Sequence, residues 1–284
     1  MDAERLAVGV GVLEGLGFRV VVGERVLARR GYLAGSDDDR RSDLQRMLDD
    51  EGIHAVFCAR GGYGSQRVVP GLDLETLVRA PKPVVGYSDA TALLSALVEA
   101  GVGAVHGPMI STDVARGLLP RSLQHLHRLL TEPDYRWEME APVTIRPGTA
   151  RGPLLGGCLS VLVTLLGTPW TPRFDGAVLF LEDVHEWPYR LDRLLTQLRQ
   201  AGSFDRIAGV VFGSMAACRA QDGLDALAVA RDAFTGAHFP VAFGLPAGHD
   251  PAESDVENLA LPLGTLVELD ADAGRLRALE GAVA

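Results

Sequence analysis

Short apolar runs alternate with segments of helical period through most of the first half of this chain, and few folds accept that alternation. Leu6, Val10, Leu13 and Gly17 share one helical face, and Gly15 and Gly17 close that helix before an apolar run, Phe18–Val22. Asp37–Asp39 open a second helix that runs to about Asp50, and Ile53–Cys58 reads as a buried strand. Pro83–Gly86 is a short apolar run, Ser88–Ala100 is helical, and Val102–Val105 is strand-like again. Strands separated by helices predict parallel βαβ units and an α/β fold. Residues Thr131–Arg151, rich in Pro, Glu and Thr, break the rhythm. They are expected to connect an N-terminal α/β domain, 1–130, to a C-terminal domain, 152–284, with one short strand at Val143–Ile145. Beyond them, helices are expected at Cys158–Leu166, Pro188–Gln200 and Asp222–Phe234. Strands are expected at Ala177–Leu181, Ile207–Phe212 and Val241–Phe243, and a β-like tail at Leu261–Leu279.

Composition excludes several classes of function. The 284 residues carry a net charge of −10 with Lys82 as the sole lysine, so there is no basic stripe for a nucleic-acid partner. The three cysteines, Cys58, Cys158 and Cys218, form no C-x-x-C and no disulfide framework, and read as small buried hydrophobes in a reducing compartment. The opening MDAERLAVGV has no basic segment before its apolar stretch, and no run is long enough to span a membrane. A cytoplasmic protein without membrane contact is the expectation.

The chemistry-bearing residues sit where strands end. Val84-Val85-Gly86-Tyr87-Ser88-Asp89 runs a strand into a helix with a serine at the junction, the layout of a nucleophile elbow, although Ala90 stands where a second glycine is usual. Ser88 or Asp89 could equally be a plain helix cap. Arg60-Gly61-Gly62-Tyr63-Gly64 follows the strand Ile53–Cys58 and suits either an oxyanion-binding turn or a simple turn; it lacks the Lys-Ser/Thr of a phosphate loop. Glu182 and Asp183 end the run Leu179–Leu181, and His249 lies in a Gly/Pro loop after Val241–Phe243. A carboxylate there can orient a histidine or cap a helix. His106 ends a strand and can line the same cleft. His125 and His127, two apart on a helix, face different sides, and no spacing suggests a metal site.

Taken in order, Arg60-Gly61-Gly62-Tyr63-Gly64, Gly86-Tyr87-Ser88-Asp89, His106-Gly107-Pro108-Met109, Gly156-Gly157-Cys158-Leu159-Ser160, Leu166-Gly167-Thr168-Pro169, Leu181-Glu182-Asp183, Pro188-Tyr189-Arg190 and Gly248-His249 resemble the LD-carboxypeptidase family of serine peptidases. That family also contains the microcin-C-immunity peptidases. The resemblance covers nearly the whole chain and resides in the ordered set, each motif being weak alone. It implies an N-terminal flavodoxin-like parallel-sheet domain and a smaller C-terminal mixed β domain, with the site between them, in a homodimer. It implies Ser88 as nucleophile, His249 as base and Glu182 as orienting acid, with backbone N–H groups of Gly61, Gly62 and Asp89 as the oxyanion hole.

From the same resemblance, the expected reaction is hydrolysis of the amide between an L-centre and a terminal D-residue in a murein tetrapeptide, without metal or cofactor. Arg60 is a candidate for the substrate carboxylate, because a guanidinium forks onto one, and Tyr63, Tyr87 and His106 are candidate cleft residues. Alternatives are an immunity-type peptidase that cleaves aminoacyl-nucleotide antibiotics and a catalytically silent binding protein. The chain departs from the family pattern in two places. The strand that usually precedes the first helix is not expected here, through either a truncated start or a sheet with one member fewer, and residues 250–257 are longer and more acidic than usual.

Overall fold

The computed structural model of the protein describes residues 1–218, 220, 223–250 and 255–283. Its helices are α1 (Ala3–Gly15), α2 (Asp37–Asp49), α3 (Ser65–Val68), α4 (Glu75–Arg79), α5 (Thr91–Glu99), α6 (Pro120–Thr131), α7 (Leu159–Leu165), α8 (Pro188–Gln200) and α9 (Ala226–Ala233). Its strands are β1 (Val56–Phe57), β2 (Val84–Gly86), β3 (Ala104–His106), β4 (Glu138–Glu140), β5 (Val143–Arg146), β6 (Thr149–Cys158), β7 (Val178–Val184), β8 (Gly209–Ala216), β9 (Val241–Phe243), β10 (Leu261–Leu263), β11 (Leu266–Asp270) and β12 (Arg275–Ala278).

Local chemistry sets many helix ends. The Asp2 carboxylate accepts from the Glu4 N–H at 2.9 Å and opens α1. Ser36 and Asp39 form a capping box at the start of α2. Pro120 and Pro188 stand in the first turns of α6 and α8, where a missing N–H costs nothing. The expected helix Asp222–Phe234 begins on a residue outside the described ones, and its remainder contains α9.

The strands form two sheets. The first has the order β1-β2-β3-β10, parallel through β3, with β10 returning antiparallel. The second has the order β4-β12-β11-β6-β7-β8-β9-β5, with a parallel centre from β6 to β9 and antiparallel flanks. One apolar core joins them: Val84, Val85 and Ala104 of the first sheet belong to the same buried cluster as Leu154, Phe180 and Val211 of the second. Burying one such aromatic side chain contributes about 1.5–3 kcal/mol.

Two expectations about elements need correction. Phe18–Val22 forms no strand; Val21 and Val22 are about half exposed. An apolar run becomes a strand only where a neighbour takes its backbone groups, and no described strand pairs with this one. The stretch 131–151 is also more than a connection, since it ends α6 and carries β4, β5 and the start of β6. Its missing helical period reflects strands laid along the second sheet.

Candidate active site

The topology aims the carboxyl ends of β1, β2, β3, β7 and β9 at a common region, the position where open α/β sheets hold their ligands. After Gly86, Tyr87 is extended and Ser88 takes φ +60°, before a single 3-10 turn, Ser88–Ala90, leads into α5. A left-handed serine at a strand–helix junction is uncommon, and it is the backbone form of a nucleophile elbow. The tight turn requires Gly86, because a Cβ there would come within 2.8 Å of the Cys58 Sγ and 3.0 Å of the Ala90 Cβ. The glycine-rich loop after β1 lies against this serine, since a Cβ on Gly61 would meet the Ser88 Oγ at 3.1 Å. Asp89 holds that loop in place. Its carboxylate accepts from the Gly64 N–H at 3.1 Å, the Ser65 N–H at 2.9 Å and the Ser65 hydroxyl at 2.8 Å.

Glu182 and His249 meet on the other side. Glu182 is fully buried, and its Oε2 accepts from the His249 Nδ1 at 2.7 Å and from the His249 backbone N–H at 3.1 Å. Gly248 permits this closeness: at φ +109° it would place a Cβ 2.7 Å from the Glu182 Oε2. Burial by itself would lower the His249 pKa and raise that of Glu182. Their mutual hydrogen bond and opposite charge outweigh it, so His249 is raised and Glu182 lowered from their ordinary values. Asp183, next along β7, points elsewhere. Its carboxylate takes the Ser160 N–H at 2.8 Å, at the start of α7, and the Val184 N–H at 2.8 Å, and burial pushes its pKa up to about 6.

Tyr87 joins the two sides. Its ring meets the His249 imidazole edge-on with centroids 4.8 Å apart. Among the described residues no hydrogen bond links Ser88 to His249; the residue before the serine, Tyr87, is in ring contact with the imidazole.

The remaining candidates divide. Arg60 and Tyr63 are exposed on the glycine-rich loop; the Arg60 Nε donates to the Gly61 carbonyl at 2.9 Å, and Tyr63 packs on Tyr32 with centroids 6.0 Å apart. Together with Gly61, Gly62 and Asp89 they border a cavity of about 810 Å³ that extends along α1 and residues 18–34, and that Ser88, Glu182 and His249 do not line. Tyr87 and His106 do not reach the cleft surface. Tyr87 is 3% exposed and its hydroxyl is engaged internally; His106 is wholly buried between Tyr87 and Phe180, with its pKa pushed down to about 4 by burial. Their expected contact with substrate is therefore withdrawn. An apolar strand end looks alike in sequence whether it faces a cleft or a core. Of the acidic stretch 250–257, residues 251–254 lie outside the described ones.

Sequence reasoning missed the carboxylate of Asp89 as the anchor of the glycine-rich loop, and it missed Asp113. The signal for Asp89 was present as an acid directly after the serine, but its partners lie 24 and 25 residues away. Among the described residues no group of three or more His, Cys, Asp or Glu side chains could hold a metal ion, and no helix is long and apolar enough to cross a membrane.

Comparison with known proteins gives consistent matches. The family model for the LD-carboxypeptidase N-terminal domain matches residues 1–107, and that for the LD-carboxypeptidase C-terminal domain matches residues 151–269. A Streptomyces coelicolor protein whose name places it provisionally among the carboxypeptidases is 42% identical over 281 residues, covering 96% of this chain and 88% of its own. The murein tetrapeptide carboxypeptidase of Pseudomonas aeruginosa is 35% identical over 271 residues, 90% of this chain and 84% of its own. The crystal structure of a muramoyltetrapeptide carboxypeptidase from Oxalobacter formigenes superposes with a TM-score of 0.88 at 30% identity, over 98% of this chain and 94% of that one.

Proposed function

The chain belongs to the LD-carboxypeptidase family, and from that premise we propose that it is a serine carboxypeptidase that removes the terminal D-residue from murein tetrapeptides. The observation that carries the reading is the buried Glu182–His249 pair at 2.7 Å, packed through Tyr87 against a serine held at φ +60°.

A serine hydroxyl is a weak nucleophile until a base takes its proton. His249 is that base. Glu182 holds the Nδ1 proton, which leaves Nε2 to face the serine, and steadies the imidazolium as it forms. The Ser88 Oγ attacks the carbonyl of the L-centre, and the oxyanion is met by N–H groups of the Gly61–Gly62 turn and of Asp89 at the start of the helical segment. His249 returns its proton to the leaving amine of the D-residue, and a water that it then activates cleaves the acyl-enzyme. The exposed Arg60 is the proposed partner of the free terminal carboxylate. We further propose a homodimeric, cytoplasmic protein; sedimentation at micromolar concentration giving a species of the chain mass, 30.2 kDa, counts against the dimer.

The test is incubation with purified murein tetrapeptide and mass detection of free D-alanine, with Ser88→Ala as control. Release by the wild type and none by the variant supports the reading. Cleavage of an aminoacyl-sulfamoyl nucleotide with no release of D-alanine replaces the substrate class. Turnover of neither points to a binding protein on this scaffold.

A further inference from the structure

Tyr87 is a buried phenol, and a buried phenolic hydroxyl needs a partner. Its partner is Asp113, fully buried in the segment that follows β3. The Asp113 Oδ1 accepts from the Tyr87 hydroxyl at 2.9 Å and from the Arg116 Nη2 at 3.3 Å; its Oδ2 accepts from the Met109 N–H at 2.9 Å and the Thr112 hydroxyl at 3.1 Å. The Arg116 Nη2 also donates to the carbonyl of Asp250 at 3.1 Å, one residue after His249. One side chain pair therefore grips the residue before Ser88, Tyr87, and the residue after His249, Asp250, which are far apart in sequence.

We propose that Asp113 is a positioning residue: through Tyr87 and Arg116 it fixes the distance and orientation between the Ser88 turn and the His249 imidazole. The inference rests on the triad reading above and deepens it. Glu182 holds the imidazole at Nδ1, which leaves the ring free to pivot about that bond, and the Tyr87 edge supplies the second contact that stops the pivot. Tyr87 can do so only while its own hydroxyl is anchored. A serine at positive φ needs its neighbours held by tertiary contacts, because that backbone region is otherwise sparsely populated.

The charges near His249 are Glu182 and Asp183 on β7, Asp113 and Arg116 after β3, and Asp250 on its own loop, with the neutral His106 on β3. Asp113, after Glu182 and Asp183, is among the carboxylates that favour the imidazolium. Replacing it by Asn removes one of the carboxylates that raise the His249 pKa, so that pKa should fall. Tyr87→Phe keeps that charge and removes only the anchor.

Two measurements test the strut. The first is an NMR titration of the His249 ring in the wild type, Asp113→Asn and Tyr87→Phe, with His249→Ala for assignment; it needs no substrate. A lower His249 pKa in Asp113→Asn is expected, with a changed His249 ring shift in both variants. The second is D-alanine release. Each variant should lose about tenfold in kcat, the scale of one buried hydrogen bond, with KM nearly unchanged; the acid limb of Asp113→Asn should move to lower pH. Circular dichroism shows whether each variant folds, and Tyr87→Phe stands in if Asp113→Asn does not. Folded variants with a wild-type His249 titration and ring shift overturn the strut, as do variants that lose stability while keeping kcat. A wild type that releases no D-alanine overturns the peptidase reading alone, since the titration still decides the strut.

Discussion

The two halves of the candidate site are built on unlike supports. Ser88 follows β2, one of three parallel strands only two or three residues long, whereas Glu182 sits inside β7, a seven-residue strand paired on both sides and almost wholly buried. A long central strand fixes a side chain by its ladder and packing alone. β2 is likewise buried and paired on both sides but has only three residues, and the turn that follows it is tied further by side chains: Asp89 holds the glycine-rich loop, and Asp113 holds Tyr87. Where strands are short, catalytic geometry depends on polar side chains that a strand pattern does not announce.

Substitutions can break that comparison in steps. Ser88→Ala should remove activity by about four orders of magnitude or more while leaving the fold intact, measured as D-alanine release alongside circular dichroism. Activity near wild type would move the nucleophile elsewhere. Glu182→Gln should follow, at about three to four orders of magnitude, because the wrong tautomer of His249 is then favoured. Asp183→Asn serves as its contrast: it should cost stability at the start of α7, by about 1–3 kcal/mol from unsatisfied N–H groups in urea unfolding, with a far smaller loss of turnover. If the two exchanged effects, the assignment of the acid would be reversed.

Smaller effects probe the weakly laddered side. Asp89→Ala frees the Gly64 and Ser65 N–H groups, so the loop that borders the serine should loosen. A loss of about ten- to a hundredfold in kcat is expected, at or below the roughly 10²–10³ that losing one oxyanion donor outright costs, because the loop is loosened and not removed. A matching loss from any surface acid elsewhere would show the anchor to be unimportant. The smallest effect is in pH. The base must be neutral to accept the serine proton, and Glu182 raises the His249 pKa. The acid limb of kcat/KM should therefore lie above the ordinary histidine value of about 6.5, with activity rising from acidic toward alkaline pH. A limb at or below that value would mean that the Glu182 contact does not govern the imidazole.

Much of the scaffold was legible because its signals are local. The apolar face and leading proline of α8 lie within thirteen residues, and the acidic run Asp37–Asp39 that opens α2 within three. The strand–glycine–serine–helix junction at Ser88 was readable for the same reason. Phe18–Val22 misled because its β-like character is also local, while strand formation depends on a partner that the run itself does not specify. Tyr87 and His106 misled because position at a strand end fixes neither exposure nor direction.

By itself the sequence determined the α/β alternation, the helix ends, and which residue types stand at the strand ends, all of which depend on spacing and capping within a few positions. Only the tertiary structure decided that Glu182 and not Asp183 faces His249, that Tyr87 is buried against the imidazole, and that Asp113 accepts the Tyr87 hydroxyl. Those outcomes depend on contacts between residues from 23 (Ser160 to Asp183) to 162 (Tyr87 to His249) positions apart, whose geometry is set when the two sheets close over one core.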